Sequence, residues 1–232
     1  MYEYLHRILG RIIGIIFFIP LLYFTLRKAI PPVLIPRLYL LLILGGFQGV
    51  LGWYMVKSGL VDDPNVSQYR LTAHLVMAVF IYSLILWTVF DLSLNYNHAI
   101  RSRIKWMSST LTLLIFLMIL SGGLVAGTRA GIPFPTWPLM GDTFIPPQIY
   151  SMNPSWLSAF EDMATIQFNH RMFAYLLTIF IVIFAIVLLG SNVPRFLKNG
   201  TTVLLFVLSL HVVLGISTLL FYIPIPVAAA HQ

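Results

Sequence analysis

The sequence contains no cysteine, and this absence excludes several kinds of chemistry. Without a thiol the chain cannot form a disulfide, hold a metal through thiolates or use a cysteine nucleophile. Any metal that it binds must be held by histidine, carboxylate, methionine or backbone groups.

Charged residues are the second scarce component. Only 9% of the 232 residues are charged and 59% are hydrophobic, whereas a soluble domain has about 25% charged residues. The composition therefore predicts an integral membrane protein in contact with the lipid bilayer. A net charge of +7 would point to nucleic acid in a soluble protein, but membrane topology explains it better here, so we expect no nucleic acid partner.

Six segments are apolar over about 20 residues, the length that a helix needs to cross a bilayer. They predict an all-α, polytopic membrane helix bundle with spans near 7–26, 38–57, 71–94, 106–127, 168–189 and 200–222. The connections after the first, third and fifth spans are rich in lysine and arginine. By the positive-inside rule these connections face the cytoplasm or matrix, and the opposite helix ends face outward.

Four of the six histidines fall at predicted outer helix ends. His6 and His170 each open a span within a His-Arg pair, in the motifs EYLHR and QFNHR. His74 and His231 lie at the outer edge of a later segment in each half of the chain. This clustering at one membrane depth indicates a shared function.

An internal repeat follows from the spacing of these motifs. His6 precedes the glycine of VLGW by 46 residues, and His170 precedes the glycine of VLGI by 45. The repeat predicts two half-bundles, residues 1–95 and 106–232. The first half lacks a counterpart of the helix and long loop before His170, and the second half should continue in a helix that begins at His231. We therefore expect a parent of eight helices in two four-helix units, truncated here at both ends.

Two repeated histidine pairs predict two haem sites. Imidazole is the commonest nitrogen ligand of haem iron, and helix bundles build cofactor sites from facing helices. The expected iron ligands are His6 with His74 and His170 with His231. A zinc or copper site fits less well because no carboxylate or thiol cluster accompanies the histidines. A lone membrane histidine can also be a packed polar residue, although its burial is costly and favours a function.

Four arginines lie at the same outer level: Arg7, Arg70, Arg129 and Arg171. A guanidinium pairs bidentately with carboxylates such as the haem propionates. Each arginine can equally extend to lipid head groups, so both interpretations stay open at this point.

The repeat differs beside the first histidine of each pair. Glu3 lies three residues before His6, about one helical turn, whereas Gln167 occupies the equivalent place before His170. Oxidation of a substrate needs a group that transfers protons, which a carboxylate can do. The first pair is therefore the predicted reaction site and the second a fixed haem; the alternative for Glu3 is a solvated terminal carboxylate.

Two further positions carry expectations. The connection 128–167 is long and contains Trp and Met, which favours an ordered cap over disorder, with an interfacial aromatic anchor as the alternative. His211 aligns with Gln48 in the repeat, so a structural hydrogen-bonding role is expected for it.

The residues now match a known family. The motifs EYLHR (3–7), LGWYMVKSGL (51–60), VSQYRLTAH (66–74), LGISTLL (214–220) and the pair His231-Gln232 resemble the haem A synthase family. The resemblance covers essentially the whole chain, and the lack of cysteine is similar to the mitochondrial-type branch. It implies an oxidoreductase that converts the C8 methyl of haem O to the formyl group of haem A for cytochrome c oxidase biogenesis.

The resemblance also assigns roles to the two halves. It implies that residues 1–95 hold the substrate haem O, that residues 106–232 hold haem b, and that Glu3 is the catalytic residue. With the arginines included, the expected substrate-haem residues are His6, His74, Arg7 and Arg70. The expected haem b residues are His170, His231, Arg171 and Arg129.

Partners and location follow from the same resemblance. The expected partners are haem O, an unidentified electron donor and haem O synthase as a neighbouring enzyme, and a homo-oligomer is compatible with the sequence. The expected location is the bacterial inner membrane, with the mitochondrial inner membrane as the alternative. The competing hypothesis is a non-enzymatic bis-histidine dihaem cytochrome b that relays electrons. A transporter with inverted repeats is disfavoured because these halves repeat in the same orientation.

Overall fold

The computed structural model describes the backbone of residues 2–59, 66–94 and 100–232, and their side chains except at positions 2, 3, 58 and 59. Within these ranges every named element is a helix. The α-helices are α1 (Tyr2–Leu26), α2 (Ile35–Gly59), α3 (Gln68–Ser93), α4 (Ser102–Thr128), α5 (Ser158–Glu161), α6 (Met163–Leu189), α7 (Arg195–Leu220) and α8 (Ile225–His231). The predicted all-α class is confirmed.

Six of these helices (α1, α2, α3, α4, α6 and α7) are long and apolar enough to cross a membrane. The chain is a multi-pass membrane protein, and large apolar side chains such as Ile16 and Ile186 are exposed on the outside of the helices. A bilayer solvates such side chains, and the helices satisfy their own backbone hydrogen bonds, as a lipid environment requires.

The six long helices coincide with the six predicted spans but begin earlier. For example, α3 begins at Gln68 and α6 at Met163, whereas the hydropathy pattern placed these starts at residues 71 and 168. Polar residues at a helix end do not interrupt the backbone hydrogen bonds, so the helix continues past the apolar segment. His74 and His170 consequently lie within the helices rather than at their first residues.

Residues Met1–Tyr96 form one compact unit. In this unit α1 packs against α2, and α2 packs against α3. Arg37 near the start of α2 forms an ion pair with Asp91 near the end of α3, with 2.8 Å between Nη1 and Oδ2. The pairing of opposite helix ends shows that α2 and α3 are antiparallel.

Residues Asn97–Gln232 form a second compact unit. Here α6 contacts both α4 and α7, and a hydrophobic core joins them. Its buried members are Ile104, Leu111, Leu177, Ile181, Phe184 and Leu188. The assignment of the two halves to haem O and haem b stays a prediction.

The short helix α8 carries His231 and packs against α7. It begins at Ile225 and ends at His231, so the expectation that a helix begins at His231 is wrong. Pro224 occupies the N-cap and Pro226 the first turn, where proline is favoured because the first-turn N–H groups have no partner within the helix. These prolines set the start of α8 six residues before the histidine.

The long connection between α4 and α6 is ordered, which confirms the expected cap. Ala130 and Met140 are buried, with 0% and 2% of their surface exposed. The Met140 N–H donates to the Thr143 carbonyl at 2.8 Å. Asp162 closes the connection by accepting a hydrogen bond from the Thr165 N–H at 2.8 Å, which caps α6.

Candidate functional site

The first predicted histidine pair comes together in the first unit. The ring centres of His6 on α1 and His74 on α3 are 6.4 Å apart, with the ring planes 83° from parallel. Two imidazoles that share a metal need two metal–nitrogen bonds, each about 2.0 Å for first-row metals, plus the distance from each nitrogen to its ring centre. The observed separation has room for such an ion.

Helix α2 positions His74 through two residues that are one turn apart. A Cβ atom on Gly52 would lie 2.9 Å from Cε1 of His74, so the imidazole occupies space that any other residue would fill. Gln48 donates from Nε2 to the backbone carbonyl of His74 at 3.0 Å. The glycine thus provides the surface on which the ring rests, and the glutamine fixes the backbone that carries it.

The same construction occurs around His231 in the second unit. A Cβ atom on Gly215 would lie 2.7 Å from Cε1 of His231. One turn earlier on α7, the backbone carbonyl of His211 accepts a hydrogen bond from Nδ1 of His231 at 3.1 Å. The two rings also stack, with centres 4.2 Å apart and planes 28° from parallel. The hydrogen bond to His231 thus uses the backbone carbonyl of His211, and the His211 side chain contributes the ring contact.

The hydrogen bond to the His211 carbonyl fixes the protonation of His231. Because a carbonyl only accepts, Nδ1 of His231 carries the proton and Nε2 is left as the ligating nitrogen, as in most metal-bound histidines. Burial lowers the pKa of His231, the nearby His211 imidazole lowers it further, and the hydrogen bond opposes both effects. The ring is therefore neutral at pH 7, which is the form that binds a metal.

The predicted partner of His231 is His170 on α6. Nδ1 of His170 lies 3.1 Å from the hydroxyl oxygen of Ser121 on α4, and a Cβ on Gly122 would lie 3.5 Å from its Cε1. A hydroxyl can accept the Nδ1 proton and leave Nε2 for a metal. His170 interacts electrostatically with His231, so the second predicted pair also lies in one region.

The sequence analysis did not identify Ser121 and Gly122. They form part of a Ser-Gly-Gly run at 121–123 inside an apolar helix. Small residues in membrane helices allow close approach of a neighbouring helix, and this run was the available signal.

Neither pair alone is a complete metal site. In the part of the chain that the structure describes, no group of three or more histidine, cysteine or carboxylate side chains surrounds a common point. A structural zinc ion needs four such ligands, whereas a porphyrin supplies the remaining ligands of its iron itself. A pair of imidazoles without further protein ligands therefore fits haem better than a bare ion.

Arg171 is buried and already holds the cap. Its guanidinium donates to the carbonyls of Phe134, at 2.9 Å, and Leu139, at 3.2 Å. Gln167, one turn earlier, also donates to the Phe134 carbonyl, at 3.0 Å. The neutral amide at position 167 thus anchors the connection between α4 and α6. Two donors of Arg171 are engaged in this way, and its expected contact with a propionate stays a prediction.

The other arginines lie nearer the surface. The guanidinium of Arg70 lies over the ring of Tyr54, 4.3 Å from its centre, a cation–π contact. Arg7 and Arg129 are exposed. The propionate contacts expected for all three stay predictions.

The side chain of Glu3 lies outside the described residues. Its backbone belongs to the first turn of α1, three positions before His6, so both positions lie on the same side of the helix. The catalytic role expected for Glu3 stays a prediction.

Comparison with known proteins adds an independent line of support. Residues 1–232 match the family COX15-CtaA, described as cytochrome oxidase assembly protein. The chain is 46% identical over 241 residues to the protein named Heme A synthase of Nitrosospira multiformis, a match that covers 100% of this chain and 66% of that protein. It is 41% identical to the Heme A synthase of Parvibaculum lavamentivorans, covering 100% and 66%.

A more distant relative gives the same result. The Heme A synthase of Wolbachia pipientis wMel is 37% identical, with 99% of this chain and 65% of that protein covered. The chain thus spans about two thirds of the length of the curated relatives that it matches.

Proposed function

Because this chain belongs to the COX15-CtaA family of cytochrome oxidase assembly proteins, we propose that it acts in haem A synthesis. It oxidises the C8 methyl group of haem O to the formyl group of haem A. The observation that carries this proposal is a contact that occurs once in each unit: the His74 ring packs against Gly52, and the His231 ring packs against Gly215. We call each of these glycine–histidine contacts a seat. Two equivalent porphyrin sites in one chain suit a reaction that needs one haem as substrate and another as cofactor.

The first unit binds the substrate in this proposal. His6 and His74 would hold the iron of haem O, with His74 positioned by Gly52 and Gln48. Arg7 and Arg70 pair with the propionates as they approach the aqueous side. The hydrophobic faces of the helices leave room for the apolar tail of haem O in the lipid. The methyl group is thereby held at one place relative to α1.

Glu3 transfers a proton during the oxidation. With dioxygen as the oxidant, two successive hydroxylations would convert the methyl group to a formyl hydrate, which loses water to give the formyl group. Each hydroxylation takes two electrons from the donor and two protons, and releases one water. A carboxylate one turn before an iron-ligating histidine is suitably placed to transfer these protons. The second unit has Gln167 at the equivalent position, where the amide anchors the Phe134 carbonyl. An amide cannot exchange a proton at neutral pH, which agrees with a site that carries electrons only.

The second unit binds haem b through His170 and His231, with Arg171 and Arg129 near its propionates. Bound haem b supplies one-electron transfer. The protein's own contribution is to keep Nε2 of both histidines available through the Nδ1 contacts to Ser121 and His211. The electron donor is a separate partner, and the histidines lie on the outer side of the bacterial inner membrane.

Co-expression tests the proposed reaction. The protein is expressed from its natural gene together with haem O synthase in a host that makes no haem A, and the haems are extracted from the membranes and identified by chromatography. We expect haem A with the wild type. With Glu3→Gln we expect haem O and haem b without haem A, because the proton-accepting group is lost while both pairs of iron ligands remain.

The same experiment separates the competing hypothesis of an electron relay. The similar construction of the two histidine seats favours that hypothesis as the second candidate, since a relay would hold two identical haems. A relay protein would retain two equivalents of haem b and leave haem O unchanged. Wild-type membranes without haem A would contradict the proposed reaction, and equal yields from wild type and Glu3→Gln would contradict the role of Glu3.

A further inference from the structure

Positions 48 and 211 are equivalent in the repeat but support their histidines differently. Each lies four residues before the glycine on which a histidine ring rests, Gly52 or Gly215. Gln48 uses its side chain to bind the backbone carbonyl of His74. Its side chain has no ring that could stack on the imidazole of His74.

The ring contact of His74 with His6 is edge-on and distant. The His74 ring centre lies 6.4 Å from that of His6, with the planes 83° from parallel. This contact restricts rotation of the His74 ring about the Cβ–Cγ bond less than a closely stacked ring would.

His211 holds the imidazole of His231 on two sides. Its carbonyl accepts the Nδ1 proton at 3.1 Å, and its ring stacks on the His231 ring with centres 4.2 Å apart. A hydrogen bond on the far nitrogen fixes a metal-binding histidine in its orientation and makes it a stronger donor. A stacked aromatic neighbour restricts the ring further.

We propose that positions 48 and 211 determine how long each site keeps its porphyrin. His211 makes the His231 site retentive, and Gln48 leaves the His74 site exchangeable. This inference rests on the proposed function, in which haem b must stay while haem O enters and haem A leaves. His211 is then a positioning residue that acts through His231.

The test exchanges the two residues and measures haem loss. His211→Gln is made in a His74→Ala background, so that haem binds only at the second site. The purified full-length protein is loaded with haem in detergent and mixed with excess apomyoglobin, and haem transfer is followed by absorbance. We expect about two- to tenfold faster loss from His211→Gln than from the His74→Ala parent, because glutamine keeps the backbone carbonyl but removes the stacked ring.

His211→Phe is the matched control. It keeps an aromatic ring on His231 and the backbone carbonyl that accepts from Nδ1, so we expect it to lose haem at nearly the parent rate. We also expect the low-spin electron paramagnetic resonance signal and the reduction potential to change in His211→Gln and to be kept in His211→Phe. Equal rates for His211→Gln and the parent, or equally fast loss from both variants, would overturn the role of His211.

Gln48→His tests the first site independently, in a His231→Ala background. We expect slower loss of haem than from the His231→Ala parent, because the new ring can stack on His74. An unchanged or faster rate would overturn the role of Gln48. These assays measure how long haem stays bound and not how much haem A is made. The roles of positions 48 and 211 can therefore be supported in a protein that makes no haem A, and contradicted in one that does.

Discussion

At the scale of single residues, each of the two candidate sites contains a histidine ring that packs against a glycine. The sequence predicted the four histidines and aligned Gly52 with Gly215, because spacing along the chain is enough to detect a repeat. It did not predict that each glycine lies directly under a histidine ring, since this contact depends on how neighbouring helices pack. The Nδ1 contacts of His170 and His231 depend on ring orientation, so the sequence could not predict them either.

Replacing either glycine by alanine should displace a histidine ring. The added Cβ would come within 2.9 Å of His74 in Gly52→Ala and within 2.7 Å of His231 in Gly215→Ala, so the ring must move. We expect at least about a tenfold loss of haem affinity at the affected site, the effect typical of a disturbed ligand. The haem-to-protein ratio after purification, titrated with added haem, measures it.

The chain offers matched controls for this pair. Gly49 lies on α2 and Gly200 on α7, and a Cβ on either would meet nothing within 4 Å. Gly49→Ala and Gly200→Ala should therefore bind haem normally and be slightly more stable, by up to about 1 kcal/mol, because alanine favours the helix. Equal loss of haem from the control and seat variants would contradict the importance of the contacts.

At the scale of elements, the ordered connection between α4 and α6 is anchored by buried polar groups. The sequence predicted an ordered cap from its Trp and Met content but did not indicate what holds it. The repeat identified Gln167 as a neutral amide beside iron, but its hydrogen bond to Phe134 could not be predicted because those residues are 33 apart in the chain. Pro224 and Pro226 are a readable signal for the start of α8, whereas the spacing of the histidines pointed to a start at His231.

Removing the Arg171 guanidinium should loosen this cap. Arg171→Met keeps a long apolar side chain but leaves the Phe134 and Leu139 carbonyls with fewer donors. Hydrogen bonds to a charged group contribute about 1.5–3 kcal/mol each, so we expect faster proteolysis within residues 129–157 and a lower Tm in detergent. Arg103→Met, an exposed position on α4, is the control and should change neither measurement. An unchanged cleavage rate in Arg171→Met would show that other contacts hold the cap.

At the scale of the whole molecule, hydropathy alone was sufficient to find the six spans. This succeeded because a lipid environment imposes long apolar helices whatever the details of packing. The starts were placed three to five residues too late (for example residue 168 against Met163), because hydropathy detects the apolar part of a helix and not its polar ends. Orientation in the membrane depends on the positive-inside rule and calls for a direct test.

The absence of cysteine makes this topology test free of background. Ser155→Cys places a thiol in the connection before α6, and Asn192→Cys places one between α6 and α7, both at exposed positions. A membrane-impermeant maleimide should label Ser155→Cys in intact spheroplasts and label Asn192→Cys only after lysis. The reverse pattern would invert the proposed orientation and put the histidine ends on the cytoplasmic side.

The most direct test of the whole proposal is the haem content of two single variants produced together with haem O synthase. His74→Ala should lose haem O and haem A and keep haem b, because only the first seat is damaged. His231→Ala should lose haem b instead and make no haem A, since the reaction then lacks its electron-carrying haem. If both variants lost the same haem, or if His74→Ala still accumulated haem A, the division of the chain into a substrate site and a cofactor site would be wrong.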